Sequence, residues 1–293
     1  MWPFNQIARL EDAAPLDAVG AKIKPFVEKA LANRRVTDAL HGVWLGHPLH
    51  PVLVQVPVGA WTSAAILDAI PAARPAATLL IGVGMVGAVP AAAAGVADWS
   101  QQDAQQQRTG LAHAMGNVAA LGLYGGALIA RSRSRHGLGR ALAYSAYALA
   151  GASATVGGHL AYRQAAGPSH AVAHAEIAPP GWSDLGLLSE LPDGQPAQRS
   201  IDEVKLFVLR RAQRVHVLID RCSHASGPLH EGQLSTENGR ECITCPWHAS
   251  TFRVDDGEVV HGPATAGQPA LQVRIEDGRI SVRLPGLSMG NED

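Results

Sequence analysis

Between Val52 and Leu160 the chain carries four long apolar runs separated by short polar connections, and this feature constrains its fold more than any other. The runs are Val52–Ile70, Ala76–Ala97, Leu111–Ala130 and Ala141–Leu160. Each is close to the ~20 residues that cross ~30 Å of hydrocarbon as a helix. The second, AATLLIGVGMVGAVPAAAAGVA, holds no charged residue. One such run fits the buried helix of a soluble domain equally well. Four in succession predict a membrane bundle, with a soluble alanine-rich helical domain as the competing reading. Small residues allow helix backbones to approach, and Gly122-xxx-Gly126 has that spacing. Pro57 and Pro90 would be costly in short soluble helices, whereas neighbouring membrane helices can satisfy the freed backbone groups.

The 47% hydrophobic content is ordinary, so only its crowding into residues 51–162 is informative. A net charge of −1 offers nothing to a polyanion, and no nucleic-acid partner is expected. The first fifty residues lack the apolar core and small-residue cleavage site of a signal peptide, and are expected to form a cytosolic, amphipathic N-terminal segment. Arg34-Arg35 reads as surface charge rather than an export signal.

Counting spans places the start of run one, the end of run two, the start of run three and the end of run four on one side. There lie His47 and His50 of GHPLHP, Asp98, Trp99, His113 and His159, with Asn117 one turn beyond His113. Ionisable groups near membrane depth usually face the bundle interior and carry function. Paired histidines could ligate a haem b, with His113 and His159 the leading pair. A His/Asp set could instead hold a metal ion or bind a quinone head group. The competing structural reading has these histidines capping helices or bonding loops at the water interface. Asp68, at the opposite end of run one, is expected to meet the facing loops. Residues 16–162 resemble a bacterial family of four-span membrane domains marked by stretches of the type LHGVWLGHPLHPVLVQVPVGAW, a resemblance that implies topology more than activity.

After Pro179-Pro180-Gly181 the period changes to two. VKLFVLRR, RVHVLIDR, STFRVDDGEVV and ALQVRIEDGRISVRL alternate apolar and polar residues between turns such as Asp256-Gly257 and Asp277-Gly278. This predicts a small antiparallel β domain. The chain has three cysteines, and two of them sit in Cys222-x-His224 and Cys245-x-x-His248, twenty residues apart. An odd count beside histidines favours a metal site over disulfides. Two thiolates and two imidazoles satisfy tetrahedral zinc, but zinc arms usually pair like with like. Mixed arms suit a [2Fe–2S] cluster with Cys222 and Cys245 on one iron and His224 and His248 on the other.

On these residues the domain resembles a Rieske iron–sulfur protein, over about residues 182–285. The resemblance implies that Cys222, His224, Cys245 and His248 are the iron ligands. It also implies that Gly227-Pro228-Leu229 and Pro246-Trp247 belong to the two cluster loops, and that HGPATAGQP, with Pro263, covers them. Rieske proteins of quinol-oxidising complexes carry a disulfide where Gly227 and Trp247 stand, and a tyrosine where Phe252 stands. Their absence implies fewer donors to the sulfurs and the lower-potential ferredoxin type. Cys242 reads as an ordinary strand residue. No stretch is long enough to supply the mononuclear iron domain of an oxygenase.

The expected architecture is an N-terminal all-α transmembrane four-helix bundle followed by a C-terminal all-β Rieske-like antiparallel domain. Its expected boundaries are 1–50, 51–162, a linker at 163–181, a cluster domain at 182–287 and a tail at 288–293. The expected activity is single-electron transfer between a membrane-associated partner and a soluble one, a reductase or an oxygenase. The alternative is a quinol- or haem-linked oxidoreductase whose bundle histidines exchange electrons with the cluster. The expected location is the bacterial inner membrane, multi-pass, in contact with the lipid bilayer. RSRSRHGLGR, with four arginines, argues for termini outside by the positive-inside rule. Lys22, Lys24, Lys29, Arg34 and Arg35, together with simpler cluster assembly, favour the cytoplasmic face.

Overall fold

A computed structural model describes residues 7–284. The expected tail at 288–293 and the last residues of the expected cluster domain lie outside the described residues. The chain divides into two compact units: one runs through Val36 and resumes over Pro48–Gly167, and the other joins Thr37–His47 to the chain from Pro168 onward.

The first unit is helical. It contains helix α1, Pro15–Ala30, whereas helix α2, Arg34–His41, falls largely in the second unit. After a short helical turn at His50–Leu53 come four longer helices: α3 Gln55–Asp68, α4 Arg74–Ser100, α5 Ala104–Ser132 and α6 His136–Tyr162. Helix α5 starts where Asp103 accepts from the Gln106 backbone N–H at 2.9 Å and the Gln106 side chain accepts in return from the Asp103 N–H, a reciprocal cap. Among the described residues two stretches, His50–Asp68 and Pro71–Ser100, are long and apolar enough to cross a membrane. The expectation of four spans is met at that level by two. His113, Asn117 and the glutamine-rich start of α5 dilute its apolar character.

All four longer helices feed one core: Trp61 and Ala64, Ala77 and Ile81, Tyr124 and Ala127, Ala143 and Ala146. Alanine dominates it, while Leu79, Val86, Val89, Met115, Val118 and Ile129 point outward and are exposed. Gly84 permits a close approach: a Cβ there would collide with the Trp61 indole. Asp68 is buried in an ion pair with Arg131, which also donates to Thr78 Oγ1 at 2.9 Å. The partner of Asp68 is thus the first arginine of RSRSRHGLGR, so part of that loop's positive charge is neutralised inside the unit.

The second unit is built, among the described residues, on ten antiparallel strands. They are β1 Ser183–Leu187, β2 Pro196–Ile201, β3 Val204–Arg211, β4 Arg214–Ile219, β5 Gln233–Glu237, β6 Arg240–Thr244, β7 Thr251–Arg253, β8 Val259–His261, β9 Gln272–Glu276 and β10 Arg279–Arg283. They form three sheets with strand orders β1-β10-β9, β2-β3-β4 and β5-β6-β7-β8. Asp277-Gly278 turns β9 into β10 with φ of 48° and 76°, the geometry of a two-residue hairpin. Strand β3 divides two cores. Leu206 and Val208 face one with Val217 and Ile219, whereas Phe207 and Leu209 face the other with Leu218, Ile243 and Phe252. Burial on both faces explains the near-continuous apolar run of VKLFVLRR. Cys222 and Cys245 belong to the second core.

Candidate metal centre

Two loops bring the cysteines and histidines together, and they share one design. The first leaves β4 at Arg221, and the second connects β6 to β7. In the first, the Cys222 N–H donates to Gly227 O at 2.9 Å and the Ser226 N–H donates to Cys222 O at 2.8 Å. In the second, the Cys245 N–H donates to Ser250 O at 2.8 Å and the Ala249 N–H donates to Cys245 O at 3.1 Å. Ser226 and Ala249 both turn the chain through positive φ, 61° and 59°. Within each turn two backbone N–H groups point at the sulfur: those of His224 and Ala225 at Cys222, and those of Trp247 and His248 at Cys245. Such donors stabilise a thiolate.

The Cys222 and Cys245 thiols interact, and that interaction, with the N–H groups of Trp247 and His248, lowers the Cys245 thiol to about 7. Cys222 is pushed up by the same contact and by burial. The rings of His224 and His248 meet edge to face with centroids 5.0 Å apart. Burial, then the neighbouring His248, His41 and His170, pull His224 down to about 3, so its imidazole is neutral at physiological pH. Its Nδ1 is buried with no hydrogen-bond partner among the described residues. A buried imidazole nitrogen left unpaired costs free energy unless something else binds it. Among the described residues no three His, Cys, Asp or Glu side chains converge on a single point. The donors fall instead into a sulfur pair and an imidazole pair, which suits a binuclear group better than one tetrahedral ion.

Surrounding residues fix the loops. A Cβ on Gly227 would lie 2.7 Å from Cys245 Sγ and 3.1 Å from Trp247 Cγ, so only glycine lets the first loop rest on the second. Gln268, buried, accepts from the Ser223 N–H at 3.0 Å and donates to Arg221 O at 2.6 Å. Ser223 Oγ donates to Ala266 O at 2.7 Å, and Ser250 Oγ accepts from the Ala264 N–H at 2.9 Å. The third loop is therefore tied to both cysteine loops. Beneath Cys222, buried Asp220 accepts from the His230 N–H at 2.9 Å and from Gln198 Nε2 at 2.8 Å. Gln268, Asp220 and His230 carry no sequence pattern that marked them. Cys242 is buried in β6, opposite Ser235 and Arg253, as an ordinary strand residue.

The bundle histidines are arranged differently. His50 Nδ1 lies 2.8 Å from Ala91 O, and His113 Nδ1 lies 2.7 Å from Ser153 O. Asn117 Nδ2 lies 3.1 Å from His113 Nε2, so both nitrogens of His113 are engaged. The structure brings His50 and His113 to 6.3 Å between centroids. His159, the expected mate of His113, lies instead 2.7 Å from Glu11 Oε1. These contacts match the structural reading of the histidines, and nothing in them supports haem or quinone binding. His47 falls in the other unit.

Comparison with known proteins agrees with this division. The Rieske [2Fe-2S] domain family matches residues 181–274, and the family described as "Predicted membrane protein (DUF2231)" matches residues 46–170. The anthranilate 1,2-dioxygenase ferredoxin subunit of Burkholderia cepacia is 29% identical over 103 residues, which are 35% of this chain and 92% of that protein. A human Rieske domain-containing protein is 30% identical over 107 residues, 36% of this chain and 68% of the relative. Among solved structures, the ferredoxin of carbazole 1,9a-dioxygenase from Nocardioides aromaticivorans is 26% identical with a TM-score of 0.33, covering 36% of this chain and 98% of that one.

Proposed function

The chain belongs to the Rieske [2Fe-2S] domain family through residues 181–274 and carries a DUF2231 domain at 46–170, and on that footing we propose that it is a membrane-anchored carrier of single electrons. Cys222, Cys245, His224 and His248 would hold the cluster, two as thiolates and two as imidazoles. The observation that carries this reading is the donor set itself: two matched loops, a sulfur pair, and an imidazole pair in which His224 Nδ1 is buried and unpartnered.

A bound [2Fe–2S] cluster supplies a one-electron couple. The chain's own residues do the rest. The paired N–H groups of His224, Ala225, Trp247 and His248 balance the thiolate charge. Gln268 and Ser250 tie the three loops to one another. Burial of Cys222 and Cys245 keeps water from the sulfurs. Trp247, at 56% exposure between the two second-loop donors, gives a soluble partner a surface close to the centre. The partner class is a reductase or an oxygenase, by analogy with the dioxygenase ferredoxin relatives.

The inverted packing of the helical unit supports the anchor. Removing a Val or Leu side chain from water is worth about 1.5–3 kcal/mol, and Leu79, Val86, Val89 and Val118 would forgo that in an aqueous setting. Four spans in the bacterial inner membrane, with the cluster domain on the cytoplasmic face, complete the proposal. Full-length protein should resist alkaline carbonate washing of membranes and accept one electron per chain in an anaerobic reductive titration. Release by carbonate would overturn the anchor, and uptake of two electrons or none would overturn the carrier.

A further inference from the structure

The second unit is not continuous in sequence: Thr37–His47, which precedes the apolar runs, packs with the chain after Pro168. Its contact is specific. Asp38 Oδ1 accepts from the Gly262 N–H at 2.9 Å, and Asp38 Oδ2 lies 2.8 Å from His261 Nδ1. A Cβ on Gly262 would meet Val43 at 3.1 Å and His41 at 3.3 Å, so the segment lies flat on this backbone. His41 is 2% exposed. Gly262 opens the third loop, the one tied to Ser250 and Ser223. On the other side of the apolar runs, the His170 N–H donates to Ser223 O at 2.8 Å.

We propose that Thr37–His47 is a strap that completes the cover of the metal centre, with Asp38 clamping the third loop and His41 closing water out beside it. The proposal rests on reading the site as a [2Fe–2S] centre. Both are positioning residues acting through His261, Gly262 and the loop that follows. The consequence is testable in the potential. Two ferric ions, two sulfides, two thiolates and two neutral imidazoles sum to zero charge, and one added electron makes the site negative. Water favours the charged form, so an opened cover raises the potential and an intact strap keeps it low.

The test uses full-length protein carrying Asp38→Ala, His41→Ala or His41→Phe, read by hydrogen exchange and by a redox titration followed by EPR. In Asp38→Ala, exchange in the peptide containing Gly262 should speed up at least tenfold. Removing Asp38 also removes a negative charge, which moves the potential in the same direction, so the His41 pair decides that arm. His41→Ala should raise the one-electron reduction constant about threefold to tenfold, or about 30–60 mV at 59 mV per tenfold. His41→Phe, which refills the space, should stay within about twofold of the parent. Unchanged exchange in Asp38→Ala, or equal potentials for the two His41 variants, overturns the strap. A parent protein without a [2Fe–2S] signal overturns the reading of the site instead, and the exchange arm then decides the strap alone.

Discussion

The helical unit and the β unit follow opposite packing rules. In the β unit Leu206, Phe207, Leu218, Ile243 and Phe252 are fully buried, and charged residues such as Arg240, Asp255 and Arg279 face outward. In the helical unit many buried positions are alanines, among them Ala77, Ala94, Ala120 and Ala127 beside Trp61, Ile81 and Tyr124, and many bulky apolar side chains, such as Leu79, Val86 and Val89, face outward. The first arrangement is the one that water on the outside produces; the second is the one the proposed anchor requires, since in lipid bulky apolar groups gain nothing by hiding and small ones let helices close. The histidines divide the same way. Those of the bundle are bonded to Ala91, Ser153, Asn117 and Glu11. His224 keeps a buried nitrogen free and sits beside a second imidazole, that of His248. The unpaired nitrogen on a preorganised loop is what the proposed ligand role of His224 rests on.

The largest effect that separates the two regions is loss of the centre itself. Cys222→Ser should abolish the visible absorbance and EPR signal of the cluster, whereas His113→Ala should leave both intact and remove no haem band. A haem spectrum lost with His113 would erase the contrast between the two sets of histidines. Next, Asp68→Ala strands Arg131 inside the bundle and should cost about 3–5 kcal/mol, measured by unfolding in detergent, with Asp68→Ala/Arg131→Met recovering most of it.

The β unit gives a pH signature. His224 sits near 3 in the fold against 6.5 ordinarily, so between those values the unfolded chain binds more protons. In protein prepared without iron, stability should therefore fall as pH drops below 6.5, by about 2 kcal/mol on reaching pH 5. A denaturant series across that window checks it, and His224→Gln should flatten the slope. The smallest contrast lies within one helix. Gly84→Ala drives a methyl into Trp61 and should cost about 1–3 kcal/mol, while Gly82→Ala meets nothing within 4 Å and should be neutral or slightly stabilising.

What the sequence made legible was local. The change of period after Pro179-Pro180-Gly181 and the Asp277-Gly278 hairpin each lie within a few residues, and each appears in the structure where the pattern put it. Helix α4, at Arg74–Ser100, runs a little past the apolar run Ala76–Ala97 because capping residues and first turns need not be apolar. What stayed hidden was long-range pairing. Asp38 with Gly262, His159 with Glu11 and Gln268 with Ser223 join residues far apart in sequence, and no periodicity marks such partners. The structure seats His113 against Ser153 and His159 against Glu11, and placing both at one end of a bundle does not tell which neighbour each will find.

Pulsed EPR of reduced, full-length protein is the decisive measurement, because it reports the nitrogens bound to the cluster. A [2Fe–2S] signal coupled to two imidazole nitrogens is expected, falling to no intact centre when either His224 or His248 is replaced by alanine. A cluster without nitrogen coupling, or a protein that purifies with zinc alone, would contradict the assignment of the four ligands.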